Sequence, residues 1–359
     1  MPRHLLRTVI VLAILYAAGA AQAASLLPED SHAAIVLTYL RVGENGDPDN
    51  NIRTEQFQAH LKEILDGDYN VLPLPKILDM IRAEETIPPQ TLAITFEGAY
   101  ESAYQNAMQT LLRKNIPFTV FYASGDLDGQ SDQHMTWSQL QSLAGYGNVT
   151  IGLLPAAYTH LVGKDEAEIR RQINNARQRH REKIGGPEPR LFSYPFGEYS
   201  LALRKIVKDS GFTAAFGTQS GVITPQSDPL SLPRFSMTER FGDLERFKLV
   251  THALPLPVTD MEPADPLFDS DQPVIGFSVP AALAGEIETL SCFVSGQKPP
   301  TMQIIGTRVE LRLADAPLES RLRINCTLRA DRGPPAENTD DVEQWRWLSL
   351  MLTRKEPAS

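Results

Sequence analysis

Short apolar runs alternate with segments of helical period from about Ala33 to Phe235. The apolar runs at 33–39, 91–96, 118–123, 149–153, 191–194 and 213–216, with a shorter one at 70–74, predict buried strands. Between them, apolar residues recur at three- and four-residue intervals, as at Phe57, Leu61, Ile64 and Leu65. That spacing predicts helices over 54–65, 74–83, 102–115, 165–183 and 201–210. Repeated strand–helix units imply a parallel sheet, and seven or eight of them favour a barrel over an open sheet. The period changes after about Val258. Residues 259–272 are rich in Pro and Asp and read as a linker. Beyond them, Val309, Leu311 and Leu313 alternate with arginine and glutamate, and Leu322, Ile324, Cys326 and Leu328 alternate with polar residues. This is the pattern of a half-buried antiparallel sheet. With further strands at 274–279, 290–294 and 345–352, a small β-sandwich is the simplest closure. The expected fold class is therefore α/β: a distorted (β/α)7-type barrel over 24–258, a linker over 259–272, and a sandwich-like all-β domain over 273–355.

The first residues stand apart. Arg3 and Arg7 precede an apolar run, and Ala21-Gln22-Ala23 forms a small-residue cleavage site. Residues 1–23 thus read as a secretory signal peptide, since the run is short of the ~20 residues that span a bilayer. The expected location is secreted or periplasmic. Composition narrows the class further. The 27 prolines argue against long helical bundles, and a net charge of -10 without a basic stripe argues against nucleic acid as a partner. The two cysteines, Cys292 and Cys326, each sit on the apolar face of a predicted strand. They are either a buried thiol pair or a disulfide, and an oxidising compartment favours the disulfide.

In a parallel barrel the chemistry sits where strands end and loops begin. Four such segments stand out: Thr95-Phe96-Glu97-Gly98-Ala99-Tyr100, Ile151-Gly152-Leu153-Leu154-Pro155-Ala156-Ala157-Tyr158-Thr159-His160, Tyr194-Pro195-Phe196-Gly197-Glu198-Tyr199, and Leu232-Pro233-Arg234. In order and placement they resemble the motifs of the polysaccharide deacetylase family, which carries a nodulation-type chitooligosaccharide deacetylase homology domain. The resemblance covers roughly 33–235. It implies metal-assisted hydrolysis of an acetamido group on a polysaccharide. A divalent metal, usually zinc, sits on one Asp and two His, a second Asp is the general base, and a late His is the general acid.

The same alignment of motifs implies roles residue by residue. Glu97 corresponds to the general base and His252 is the only candidate for the general acid. The metal Asp corresponds to Gly98 and the first metal His to Leu154, neither of which can ligate. The second metal His corresponds to Tyr158 or, in a longer loop, to His160. Zinc is thus the family's cofactor and is expected to bind weakly or not at all here. Tyr194, Phe196, Glu198, Tyr199 and Arg234 are expected to line a sugar groove, or simply to pack the turn. Trp345 and Trp347 share a strand face and are either core or an exposed platform, so the β-domain is a candidate dock for a protein or glycan. Two functions follow: a deacetylase with a rearranged site, or a non-catalytic glycan-binding pseudoenzyme of the cell envelope.

Overall fold

The computed structural model describes residues 27–316, 320–330 and 343–355. The candidate signal segment 1–23 lies outside the described residues. Seven strands carry the first half of the chain: β1 (Ile35–Tyr39), β2 (Thr91–Glu97), β3 (Phe118–Tyr122), β4 (Val149–Leu153), β5 (Leu191–Ser193), β6 (Ala214–Phe216) and β7 (Phe235–Ser236). All pair in parallel, in the order β7-β1-β2-β3-β4-β5-β6. The sheet curls until a single bridge between Phe216 and Leu232 joins its two ends. A further short strand, Asn70–Val71, pairs with the start of β2.

Alternation along the strands sorts side chains between two layers. Ile35, Leu37, Leu92, Ile94, Phe118 and Val120 face outward, against helices that contribute Phe57, Leu61, Ile169 and Val207. The inward positions taper from small to large. Val36, Ala93 and Ala214 pack with Leu74 and Ile77 of helix Leu74–Arg82 at one end, while Phe121, Phe216 and Leu154 fill the other. Glu97 lies two residues beyond Thr95 and four beyond Ala93, so it also points inward, at the end where the strands stop.

The strands that follow the barrel are β8 (Leu254–Pro255), β9 (Thr259–Glu262), β10 (Leu267–Phe268), β11 (Ile275–Ser278), β12 (Ser291–Val294), β13 (Thr301–Ile305), β14 (Arg308–Arg312), β15 (Arg321–Arg329) and β16 (Trp345–Arg354). They form two sheets, β8-β16-β15-β12 with β10 alongside β16, and β9-β11-β14-β13. The sheets share one apolar core, drawn from Leu322, Ile324 and Leu352 on one side and Ile275, Phe277, Val309 and Leu311 on the other. Residues 259–272 contribute a strand to each sheet. Cys292 and Cys326 stand directly opposite each other on β12 and β15, with Cα atoms 4.1 Å apart, and are joined by a disulfide.

The first sheet is covered on both faces. The opposed pairs Arg323 and Met351, Asn325 and Ser349, and Thr327 and Trp347 turn toward the barrel. Trp347 meets Phe235 edge-on at 5.3 Å, and its indole N–H donates to Asn325 at 3.4 Å, so this tryptophan is spent on the seam between the two halves. Arg346 adds a buried bidentate pair with Asp30 at 2.8 and 2.9 Å.

Candidate functional site

Glu97 closes β2 and is 2% exposed. Its Oε1 accepts from the Tyr158 hydroxyl at 3.0 Å. Its Oε2 accepts from Ser193 Oγ at 2.5 Å and from Arg234 Nη2 at 2.6 Å. Arg234 is fully buried; it also donates through Nη2 to Ser193 at 2.9 Å and through Nε to the Gly217 carbonyl at 2.9 Å. Its Nη1 has no hydrogen-bond partner among the described residues. The Phe121 and Phe216 rings flank the guanidinium at 5.6 and 5.7 Å. Burial and the charge of Glu97 hold the Tyr158 phenol well above its usual pKa, so it stays a neutral donor. Tyr158 beyond β4, Ser193 at the end of β5 and Arg234 just before β7 thus converge on one carboxylate inside the barrel, and together they close it off.

The positions next to Glu97 decide whether a metal can be held. Gly98 has φ +94°, a backbone conformation that disfavours any side chain. A Cβ built there would lie 2.4 Å from the Tyr100 ring. Tyr100 cannot easily yield, because it is packed between Arg41, 4.2 Å from its centroid, and the His134 ring at 4.8 Å. Leu154 is fully buried in the apolar cluster with Phe121 and Phe216. A catalytic zinc takes about three protein ligands. Among the described residues, no three His, Cys, Asp or Glu side chains come together in a group able to hold a metal ion. The donor set does not fit the family's metal.

A second cluster lies on the rim. Phe196 occupies the left-handed region, φ +58°, in the turn after β5. The His160 ring stacks on it at 4.2 Å, and Tyr158 meets it edge-on at 4.7 Å. His160 Nδ1 lies 2.7 Å from Glu198 Oε2, and Arg321 from the sandwich lies 3.5 Å from Glu198 Oε1. Glu198 is buried, whereas the side chain of His160 is 57% exposed.

Three expected site residues lie elsewhere. Tyr194 does not face the groove: it is fully buried, stacked near Tyr199 at 5.4 Å, and donates its hydroxyl to the Leu230 carbonyl at 2.8 Å. Tyr199 shares that packing. His252 caps the C-terminus of the helix Leu244–Thr251 and lies 2.8 Å from Gln90, the residue before β2. Seven residue steps along the strand separate Gln90 from Glu97, about 23 Å at the usual rise. His252 therefore stands at the opposite end of the barrel from Glu97 and cannot act with it.

Residues 84–215 match the family model for polysaccharide deacetylase. Over these residues the barrel matches a polysaccharide deacetylase domain. Solved structures agree with that fold. A Streptococcus pyogenes deacetylase, PplD, in complex with acetate superposes with a TM-score of 0.55 at 15% identity, covering 60% of this chain and 96% of that one. IcaB from Ammonifex degensii gives 0.52 at 21% identity, over 58% and 93%. A Bacillus cereus polysaccharide deacetylase gives 0.53 at 16%, over 61% and 69%. At these identities the likeness is one of fold. No curated protein matches the chain.

Within the deacetylase domain, sequence reasoning missed Ser193 and Tyr158 as partners of Glu97. Both were readable in principle. Each follows or ends a predicted strand, and parallel topology brings such positions to one face. Arg321 and Arg323 carried no such signal, because they reach the rim from a separate sheet.

Proposed function

We propose that this chain binds an N-acetylated polysaccharide on the strand-end face of its deacetylase domain, outside the cytoplasm, and does not perform the metal-assisted hydrolysis of its family. One observation carries this reading: carbon fills the ligand positions, with the Tyr100 ring against Gly98 and the Leu154 side chain in the apolar interior. Glu97 points the same way. A general base needs a lone pair aimed at water, and this carboxylate is enclosed by Tyr158, Ser193 and Arg234. The rim is what a ligand can reach. His160 and Phe196 form a flat stacked pair on which the apolar face of a pyranose fits. Among the described residues His160 Nε2 has no partner, so it is free to bond a sugar hydroxyl. The deacetylases of similar fold point to an acetylated glycan as the ligand class.

The test pairs two readouts on the mature chain with added zinc. Calorimetry follows binding of an N-acetylglucosamine hexamer, and an enzymatic assay follows acetate release from the same sugar. Saturable binding with acetate release at the level of the buffer blank is the expected result. Catalytic release of acetate would overturn the reading.

A further inference from the structure

The strand β15 sends its odd-numbered residues toward the barrel, and the first two of them are arginines. Arg321 Nη1 donates to the Phe196 carbonyl at 3.5 Å, and its guanidinium lies 5.7 Å from the Phe196 ring. Arg323 Nη2 donates to Thr218 Oγ1 at 3.3 Å, and Thr218 in turn donates to the Phe196 carbonyl at 3.4 Å. We propose that Arg321 and Arg323, with Thr218, form a subsite at the rim for an anionic group, a carboxylate or phosphate, carried by the bound glycan. This rests on the glycan reading above and names the class of sugar polymer: an acidic one.

The argument is one of unmatched charge. The single carboxylate at hand is Glu198, which lies 3.5 Å from Arg321 and is already engaged by His160 at 2.7 Å. Among the described residues no carboxylate lies within ion-pair range of Arg323. A guanidinium offers five donors, and Arg323 uses its side chain on one hydroxyl. A third arginine adds to the excess. Arg246, in the helix Leu244–Thr251, donates to the Phe241 carbonyl at 2.6 Å and likewise has no ion-pair partner among the described residues. Like charges brought together and partly dehydrated cost free energy. The environment registers that cost: burial and the neighbouring charge of Arg321 hold Arg323 down to about 10, and burial brings Arg246 to about 10 as well, with Asp243 opposing the shift and Arg323 adding to it. The chain as a whole carries a net charge of -10, so carboxylates are not scarce. Among the described residues none of them pairs with Arg323, which leaves its planar fork geometry open to a ligand carboxylate or phosphate.

The experiment uses the mature chain at low salt with three probes: a hyaluronan hexasaccharide, in which N-acetylglucosamine alternates with glucuronate, a neutral N-acetylglucosamine hexamer, and inorganic pyrophosphate. The acidic sugar should bind about tenfold tighter than the neutral one, the size of one added charge-assisted contact. The double variant Arg321→Gln/Arg323→Gln should lose that preference and its pyrophosphate binding, while its affinity for the neutral hexamer stays within about twofold. Arg321→Gln alone, at an exposed position, should lose about threefold and serves if the double variant does not fold. Equal affinity of the parent for both sugars, or a preference that survives the substitutions, overturns the subsite and leaves the glycan reading standing. Variant-sensitive pyrophosphate binding with no affinity for either sugar overturns the glycan reading and leaves the anion subsite standing.

Discussion

Two carboxylates stand at the mouth of this barrel, and they differ in what surrounds their partners rather than in their own burial. Glu97 and Glu198 are 2% and 4% exposed. Glu97 bonds to Ser193 and Arg234, both inaccessible to water, and to the partly buried Tyr158. Glu198 bonds to His160 and Arg321, whose side chains are 57% and 44% exposed. The difference teaches which charges remain available. A sealed pair is cut off from water, and breaking it leaves an uncompensated charge. A pair with one open partner can trade that contact for a ligand at small cost. At the strand ends Glu97 is held within the protein, and on the rim Glu198 has partners that reach solvent.

The sharpest way to break this comparison is Arg234→Met. It strands Glu97 inside the barrel and should cost about 3–5 kcal/mol in urea unfolding followed by tryptophan fluorescence. Adding Glu97→Gln to it should recover much of that loss, because a neutral amide can keep Ser193 and Tyr158 without an orphaned charge. A loss below about 1 kcal/mol for the single variant would mean that the pocket is wet.

Acid titration makes the same distinction among histidines. His60 is enclosed, with Nε2 2.8 Å from the Gly242 carbonyl, Nδ1 3.0 Å from the Tyr39 hydroxyl, and its ring stacked on Phe247 at 4.3 Å. Only a neutral ring with its proton on Nε2 lets Tyr39 donate to Nδ1. Burial accordingly lowers its pKa from 6.5 to about 4. The unfolded chain therefore binds the proton more readily than the native one between these values. Stability should be level above pH 6.5 and fall as pH drops toward 4, by on the order of 3 kcal/mol from this residue. His134 and His180, also lowered by burial, add loss of the same sign. Denaturant unfolding across that range should show a shallower slope in His60→Gln; an unchanged slope would place the titration elsewhere.

The smallest stability effect belongs to the rim. His160→Ala removes a largely exposed ring and should change stability by no more than about 1 kcal/mol. It should nevertheless weaken binding of the N-acetylglucosamine hexamer severalfold by calorimetry. Unchanged affinity would move the sugar away from Phe196.

Much of this fold was legible because each signal was local. The inward and outward alternation at Ala93, Ile94, Thr95 and Phe96, the helical spacing at Phe57, Leu61 and Ile64, and the period of two through Leu322 to Leu328 all report burial by neighbouring residues. Opposed cysteines on two such strands made the disulfide readable. The site was legible only in its membership. Motif order brought Glu97, His160 and Arg234 to one end, but which donor takes which carboxylate depends on contacts between residues up to 137 apart in the chain, such as Arg234 with Glu97. His252 shows a signal that was present and not used. A helix packed on a parallel barrel runs back toward the strand starts, so a residue at its C-terminus belongs at the end away from the mouth. Nothing in a sequence pattern places Arg321 beside Phe196, since docking of one sheet on a barrel has no period to read.

The central claim is that the family's metal position is closed in this chain. A zinc titration after chelator treatment, run on the parent and on Gly98→Asp/Leu154→His, tests it most directly. The parent should take up no stoichiometric zinc. The double variant should not gain it either, because Tyr100 occupies the space the new carboxylate needs and the buried imidazole replaces apolar contacts at a cost of about 2–3 kcal/mol. Adding Tyr100→Ala should be required before any zinc binds. Tight binding of one zinc by the parent chain would contradict the account.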